Sequence, residues 1–381
     1  MPPKDRVITV ALDARMASHT GIGRYIRTLV KAFADSGVSE FRMVVALNPE
    51  QDADFIPESD SVSVFRYRRH IEIYRPAEHI IMPGELKRTG ADIVHFPHFA
   101  GPWTCPLPKV VTIHDITYIR FPEVAPSRLM AMYAAALLGH AAGSAKVVLT
   151  TTDHATNDVI QNLGLPPDRI ITSPLTVCDF QEMLTSLPPG KPPPPLDKPP
   201  GYILYVGNHL PHKNLPRLIR AFALVRDMLP DCRLALVGRK GRNTPELETE
   251  ISRAELGDCV HILGHVSEDE LAACYRNARL FVFPSLMEGF GLPLLEAFAA
   301  GVPVAASNVG PLPEVGGDAF IGFNPESEPE IAGAIIAALK SEDIRRQLVS
   351  RGRARLEQFT PKRMLEGTLR AYRAACRRRN L

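Results

Sequence analysis

Short apolar runs rich in β-branched residues recur along this chain, each followed by a stretch with the spacing of an amphipathic helix. The first half carries VITVAL (7–12), FRMVVAL (41–47), SVSVFRY (61–67), DIVHF (92–96), KVVTIHD (109–115) and KVVLTT (146–151). The second carries YILYVG (202–207), RLALVG (233–238), VHILG (260–264), LFVFPS (280–285) and VPVAAS (302–307). A strand that is apolar on both sides must be covered on both faces, and helix-length crossovers between parallel neighbours supply that cover. The pattern predicts two doubly wound, Rossmann-like parallel sheets. Between the halves lies LPPGKPPPPLDKPPG (187–201), which lacks the amide donors that a helix or central strand needs and is expected to be a semi-rigid linker. The expected division is an N-terminal domain over 1–186, the linker over 187–201, a C-terminal domain over 202–360, and a terminal helix over 361–381 able to cross back to the first domain. Ligands of such sheets bind beyond the carboxyl ends of the strands, so a cleft between two of them is the expected active site.

Composition narrows the function classes. A net charge of +2 makes no electrostatic case for nucleic acid. Local basic clusters at Arg66, Arg68 and Arg69 with Tyr67, and at Arg377, Arg378 and Arg379, are either solvated faces or contacts for an anionic membrane or acceptor. Six cysteines without a CxxC pair are expected to be reduced thiols of a cytosolic protein, not a disulfide or zinc framework. The N-terminus lacks a signal-peptide apolar region, and no apolar run reaches the roughly 18 residues of a membrane helix. AMYAAALLGHAAG (131–143) is expected to be a buried helix.

PSLMEGFGLPLLEAFAAGVPVAAS (284–307) keeps two charges, Glu288 and Glu296, in an otherwise apolar segment. It reads as a strand end, a glycine loop over 287–292, a helix opening at Pro293, and a stop at Gly301 followed by Pro303. Free amides and the dipole at that helix start favour a phosphate, and Gly289 and Gly291 allow close approach. A carboxylate beside a phosphate needs another partner, and hydroxyls fit: Glu288 towards a sugar, Glu296, in the first turn of the helix, towards a ribose. On the residues alone a second reading stays open, in which Glu296 complements the helix dipole and Glu288 is an exposed loop residue.

Taken with YVGNHLPHKNLPRLIRAF (205–222), HILGHVSEDELAACYRNARLFVFPSLMEGFGLP (261–293) and GPLPEVGGDA (310–319), this segment resembles the signature of the E-x7-E retaining glycosyltransferases, family 4. DARMASHTGIGRYIRTLV (13–30), VHFPHF (94–99) and VTIHDITYIRFPE (111–123) resemble the subgroup that builds bacterial O-antigen and exopolysaccharide chains. The resemblance covers most of the chain outside the proline linker. It implies an α/β, GT-B fold of two Rossmann-like domains facing a cleft, with the donor on the second domain and the acceptor on the first.

The resemblance also implies roles. Lys213 holds the donor diphosphate; His212 stands where relatives usually carry Arg, with Arg217 and Arg239 as nearby cations. Gly289, Phe290, Gly291 and Leu292 belong to the loop around the donor sugar and phosphate, flanked by Glu288 and Glu296. Gly264, His265 and Val266 bracket the nucleobase through backbone groups. His114 lies near the reacting sugar in a positional role, Gly23 faces the donor, and Arg24 and Asp115 meet the acceptor; Glu288, Lys213 and His114 form the catalytic set. No cofactor beyond the sugar nucleotide and no metal is expected. His95 and His98 lack a third zinc ligand at a suitable spacing, and Asp52-Ala53-Asp54 sits in a polar loop. The implied reaction carries a hexose, mannose from GDP-mannose in this subgroup, to a lipid-linked oligosaccharide at the cytoplasmic face of the inner membrane. Retention would follow from front-face attack. A UDP-sugar glucosyltransferase of the same fold, a non-catalytic sugar-nucleotide binder, and an epimerase or phosphorylase are the alternatives.

Overall fold

The computed structural model describes residues 6–188, 190–197 and 201–377. They form two compact units: Met1–Thr176 with Phe359–Leu381, and Val177–Gln358. The first holds strands β1 (Ile8–Asp13), β2 (Phe41–Leu47), β3 (Val62–Arg66), β4 (Ile93–Phe96), β5 (Lys109–Ile113), β6 (Val147–Thr150) and β7 (Ile170–Thr172). The second holds β8 (Tyr202–Val206), β9 (Leu234–Val237), β10 (Val260–Gly264), β11 (Ala278–Phe283), β12 (Val304–Ser307) and β13 (Ile321–Phe323). Every run named from the sequence is a strand. β7 and β13 are additions, each three residues long at the far edge of its sheet.

Both sheets are parallel throughout and share one topology. The first runs β3-β2-β1-β4-β5-β6-β7, and the second β10-β9-β8-β11-β12-β13. Strand order reverses between β1 and β4 in one and between β8 and β11 in the other. At such reversals the loops leave in opposite directions and open a crevice beyond the strands, which is where a ligand fits. The central strands are covered on both faces, as in wholly buried Val10, Ala11 and Leu12 of β1 or Leu280 to Phe283 of β11.

The units divide at other points than 186 and 360. The helix Cys178–Ser186 belongs to the second unit because Phe180 is buried edge-on against Tyr275, 5.2 Å between ring centroids. The start of the proline segment follows it, with Arg276 donating to the Pro188 carbonyl at 3.0 Å. Pro189 and residues 198–200 of that segment, and Arg378 and Arg379 of the terminal basic cluster, lie outside the described residues. The helix Pro361–Arg377 packs in the first unit. Ser173 Oγ donates to Met364 O at 2.8 Å, and Tyr372 OH meets His95 Nδ1 at 2.9 Å.

One expectation about surfaces is corrected: the helix Arg128–Ser144 is buried on one side only, since Leu129, Met130 and Met132 are exposed. In the basic segment at 66–69 the three arginines are exposed, Tyr67 is buried, and Arg66 donates to the carbonyls of Pro49 and Gln51 at 3.0 and 2.7 Å, clamping a loop.

Candidate active site

The crevice of the second unit is built by the loops after β8 and β11. The loop after β8 ends in a short turn, Pro211–Lys213, followed by Asn214 with φ +60°. Asn214 is buried and its side-chain amide donates to the carbonyls of Pro284, 3.1 Å, and Pro325, 2.7 Å, tying this loop to the one after β11. Leu286 N donates to His212 O at 2.8 Å and adds a second tie. Between these fixed points Lys213 Nζ reaches Glu288 Oε1 at 2.6 Å, and Ser285 Oγ donates to the same oxygen at 2.6 Å. Both members of the ion pair are largely buried. An ammonium has three protons and a carboxylate about four acceptor directions. The pair therefore keeps capacity for an anion on Nζ and a hydroxyl on Oε2.

The loop after β11 turns into the helix Leu292–Ala299 through Gly291, its N-cap, at φ +97°. A Cβ at Gly291 would stand 2.7 Å from Leu312 Cδ2, so both backbone and neighbour require glycine here. The helix opens one residue before Pro293, which places Glu296 in the second turn, not the first. Glu296 is 4% exposed and its Oε2 accepts from Tyr275 OH at 2.8 Å. That depth removes the helix-dipole reading, because the dipole acts within the first turn. Phe290 is buried, so what the loop offers a ligand at that position is backbone. The helix stops as expected: Gly301 N donates to Phe298 O and Val302 N to Ala297 O, a Schellman end.

At the far edge of this sheet Gly264 ends β10 and its carbonyl accepts from Gly238 N at 2.9 Å. His265 is exposed and Val266 half-buried just beyond. Leu292 is half-buried at the helix start, and His212 is buried in the loop. Of the nearby cations, Arg217 is engaged by Asn214 Oδ1 at 3.0 Å, whereas Arg239 is exposed at the end of β9.

In the first unit the helix after β1 runs Gly21–Ala34 and takes both Gly21 and Gly23 into its first turn, where the glycine-loop-then-helix form of SHTGIGRY (18–25) suggests a loop through Gly23 and a start near Arg24. A Cβ at Gly23 would lie 2.5 Å from Ala17 O, so packing of the helix on the preceding loop demands this glycine. Arg24 is half-buried on the same turn. His114 follows β5, and its Nε2–H donates to Pro97 O at 2.9 Å. Burial lowers its pKa and keeps the ring neutral, which leaves Nδ1 as an acceptor. Asp115 Oδ1 accepts from Thr117 N at 2.8 Å and starts the short helix Thr117–Arg120. His95 and His98 do not act together: both His95 nitrogens are taken, by Tyr372 and by Thr112 Oγ1 at 2.8 Å, while His98 stacks on Phe99. Asp52 and Asp54 are exposed in their loop.

Similarity to known proteins gives the family and the fold. Residues 19–177 match the model described as Glycosyltransferase Family 4, and residues 191–355 that of Glycosyl transferases group 1. The chain is 32% identical over 375 residues to O-antigen chain mannosyltransferase B of Escherichia coli, covering 93% of this chain and 96% of the relative. The chain belongs to the family 4 glycosyltransferases. Among solved structures, sucrose-phosphate synthase of Thermosynechococcus elongatus is similar at TM-score 0.70 and 22% identity, over 96% of this chain and 98% of that one. Anabaena HepE in complex with UDP and glucose is similar at TM-score 0.69 and 18% identity, over 96% and 100%. These likenesses carry the fold, which is GT-B.

This glycosyltransferase has site features that the sequence did not disclose. Arg15 is wholly buried after β1 and pairs with Asp13, 2.8 Å, and Glu78, 2.6 Å. The other Glu78 oxygen accepts from Tyr74 N at 3.2 Å, holding Tyr74 at φ +64°. A bulky residue in that region is strained, and such strain persists only where the surroundings enforce it. Tyr74 lies near Phe99, 5.9 Å between ring centroids, and shares a hydroxyl hydrogen bond with Tyr118; burial raises the pKa of both phenols. Aromatic faces with His98 and Asp115 nearby make a surface suited to a sugar ring. The one available signal was the aromatic pairing of Tyr118 with the HD dipeptide just before it.

Proposed function

We propose that this glycosyltransferase moves mannose from GDP-mannose to a hydroxyl of a lipid-linked glycan during assembly of a bacterial surface polysaccharide, with retention at the anomeric carbon. The observation that carries the reading is the Lys213–Glu288 pair at the β8/β11 reversal, beside the amides at 289–291. β10 lies two strands from β8, about 10 Å at roughly 4.8 Å per step. A nucleoside diphosphate covers that span, with its base over Gly264 to Val266 and its diphosphate at Lys213. Glu288 Oε2 then accepts from a sugar hydroxyl, and Glu296 accepts from the ribose alongside Tyr275. As the glycosidic bond to the diphosphate breaks, charge gathers on the leaving phosphate. Lys213 and the amides at the start of Leu292–Ala299 meet it with little reorganisation. The acceptor hydroxyl attacks from the same face and gives its proton to the leaving phosphate oxygen. His114 Nδ1, Asp115 and Arg24 on the first unit orient hydroxyls, and no metal or further cofactor has a task in this scheme.

The mannosyl and surface-glycan parts rest on the similarity to the Escherichia coli O-antigen mannosyltransferase, and the lipid-linked acceptor at the cytoplasmic face of the inner membrane follows from them. Thermal-shift measurements with GDP, UDP and ADP, paired with transfer assays from the matching sugars, test the donor, because a ligand that binds the folded state raises its stability. A GDP-selective shift with α-mannosyl product is expected. A UDP-selective shift with glucosyl transfer would replace the mannose reading.

A further inference from the structure

Strands β8, β9 and β10 all finish in glycine: Gly207 and Gly238 directly follow their strands, and Gly264 is the last residue of its own. The three ends are laced together. Gly207 N donates to Val237 O at 2.9 Å, and Gly238 N to Gly264 O at 2.9 Å. A Cβ at Gly238 would stand 1.8 Å from Gly207 O, so the two backbones touch and no side chain rises between them. The result is a floor of bare backbone that runs from the loop carrying Lys213 to the edge strand β10. On such a floor, side-chain contacts that tell one flat ring from another must come from the loops that overhang it.

The loop after β9, GRKGRN (238–243), is the one that does so. Its Lys240 lies along Gly264: measured from a Cβ placed on that glycine, Lys240 Cε is 3.7 Å and Cγ 3.8 Å away. The stem covers the bare side of Gly264, and the ammonium stands at the β10 end of the floor. The loop is anchored behind it. Gly241 N donates to Thr244 Oγ1 at 2.9 Å, and Thr244 Oγ1 meets His209 Nδ1 at 3.0 Å. His209 is buried in the loop after β8, and burial, with Lys240 second, lowers its pKa. Among the described residues no hydrogen bond or ion pair engages Lys240, whereas Lys213 is taken up by Glu288 at 2.6 Å. A cation in a nucleotide site has two uses. Lys213 serves the diphosphate. Lys240 covers a strand end two strands away, where the proposed donor puts its base. Guanine presents O6 and N7 side by side, and a lysine or arginine donating to that pair is the commonest specific contact to a base edge. Adenine turns an amino donor to the same place, and a pyrimidine has no N7 there.

We infer that Lys240 reads the base of the donor, its ammonium donating to O6 and N7 of guanine while its stem rests on Gly264. The inference rests on the proposed nucleotide-sugar donor and adds the side chain that selects GDP. Calorimetric titration of the full chain with GDP, UDP, ADP and deazaguanosine diphosphate, in which carbon replaces N7, compares wild type with two variants. Lys240→Met keeps a stem over Gly264 and drops the charge; Lys240→Arg keeps the donors. Wild type should prefer GDP. Lys240→Met should weaken GDP about tenfold or more and leave UDP and ADP within about twofold, while Lys240→Arg should retain the preference. The deaza nucleotide should bind wild type more weakly than GDP, and Lys240→Met should not tell the two apart. Lys240 is exposed, so both variants should melt with wild type in the absence of nucleotide, which separates lost binding from lost folding. Equal weakening of every nucleotide would put Lys240 on a phosphate and overturn the inference, and so would unchanged GDP binding by Lys240→Met; either result leaves the GDP-mannose reading standing. A wild type that prefers UDP would strike that reading and guanine with it. Lys240 would then remain the reader of the base if Lys240→Met weakened UDP alone, and would lose that role if all three weakened alike.

Discussion

Lys213 and Glu288 are each other's partner before they are anything else, and this shapes what substitution does. Lys213→Ala strands a largely buried carboxylate with only Ser285 to serve it, so it should lower stability as well as activity; removing one member of a buried pair costs about 3–5 kcal/mol at most. It also removes the cation assigned to the diphosphate. GDP binding should weaken and transfer should fall by roughly 10²–10³-fold. Glu288→Gln keeps the shape and the hydrogen bond from Ser285. It should leave GDP binding within a few-fold while lowering transfer. Thermal shift with GDP and initial rates with GDP-mannose separate the two. Should Glu288→Gln weaken GDP as much as Lys213→Ala does, Glu288 does not face the sugar. The sequence pointed to both residues through the glycine loop and the HKN triplet. It could not disclose their contact, nor Tyr275 on Glu296, because those depend on which loops a strand order brings side by side.

The glycine loop and its helix work as one piece, and Gly291 is the hinge of that piece. Gly291→Ala forces an L side chain to φ +97° and drives a methyl into Leu312. A loss of about 1–3 kcal/mol in urea unfolding is expected, with weaker GDP binding because the amides at the helix start are displaced. Unchanged stability would mean that the loop relaxes freely and does not hold a fixed anion site. The same element shows where sequence reading succeeds and stops. Long two-sided apolar runs such as FRMVVAL and LFVFPS announced buried parallel strands. β7 and β13 did not, since three residues at a sheet edge carry too little pattern. The helix opened at Leu292 because Gly291 takes the left-handed turn, which moved Glu296 one residue deeper than Pro293 suggested, out of the first turn. Apolar content made Arg128–Ser144 look like core, but periodicity records a nonpolar side without saying what covers it.

The chain ends where it began: Phe359–Leu381 returns to the first unit, and its helix is secured through a histidine. His95 is wholly buried between Tyr372 of that helix and Thr112 of β5, and burial, with a smaller contribution from His114, lowers its pKa from 6.5 to about 3. The folded value lies below the unfolded one. Between about pH 6.5 and pH 3 the unfolded chain therefore binds a proton that the folded chain refuses. The stability tied to a neutral His95 is complete above that window and drains away as pH falls, by up to about 1.4 kcal/mol per pH unit. His98, also pushed to about 3 chiefly by burial, acts in the same direction. His95→Gln cannot titrate and still offers one donor and one acceptor. It should be less stable than wild type at pH 7.5 and should lose less stability on going to pH 5. Urea unfolding at the two pH values, followed by hydrogen exchange in Pro361–Arg377, measures both effects. Parallel pH profiles for wild type and variant would mean that His95 takes up its proton equally in the folded and the unfolded chain, and that the terminal helix is held by its apolar contacts with the sheet.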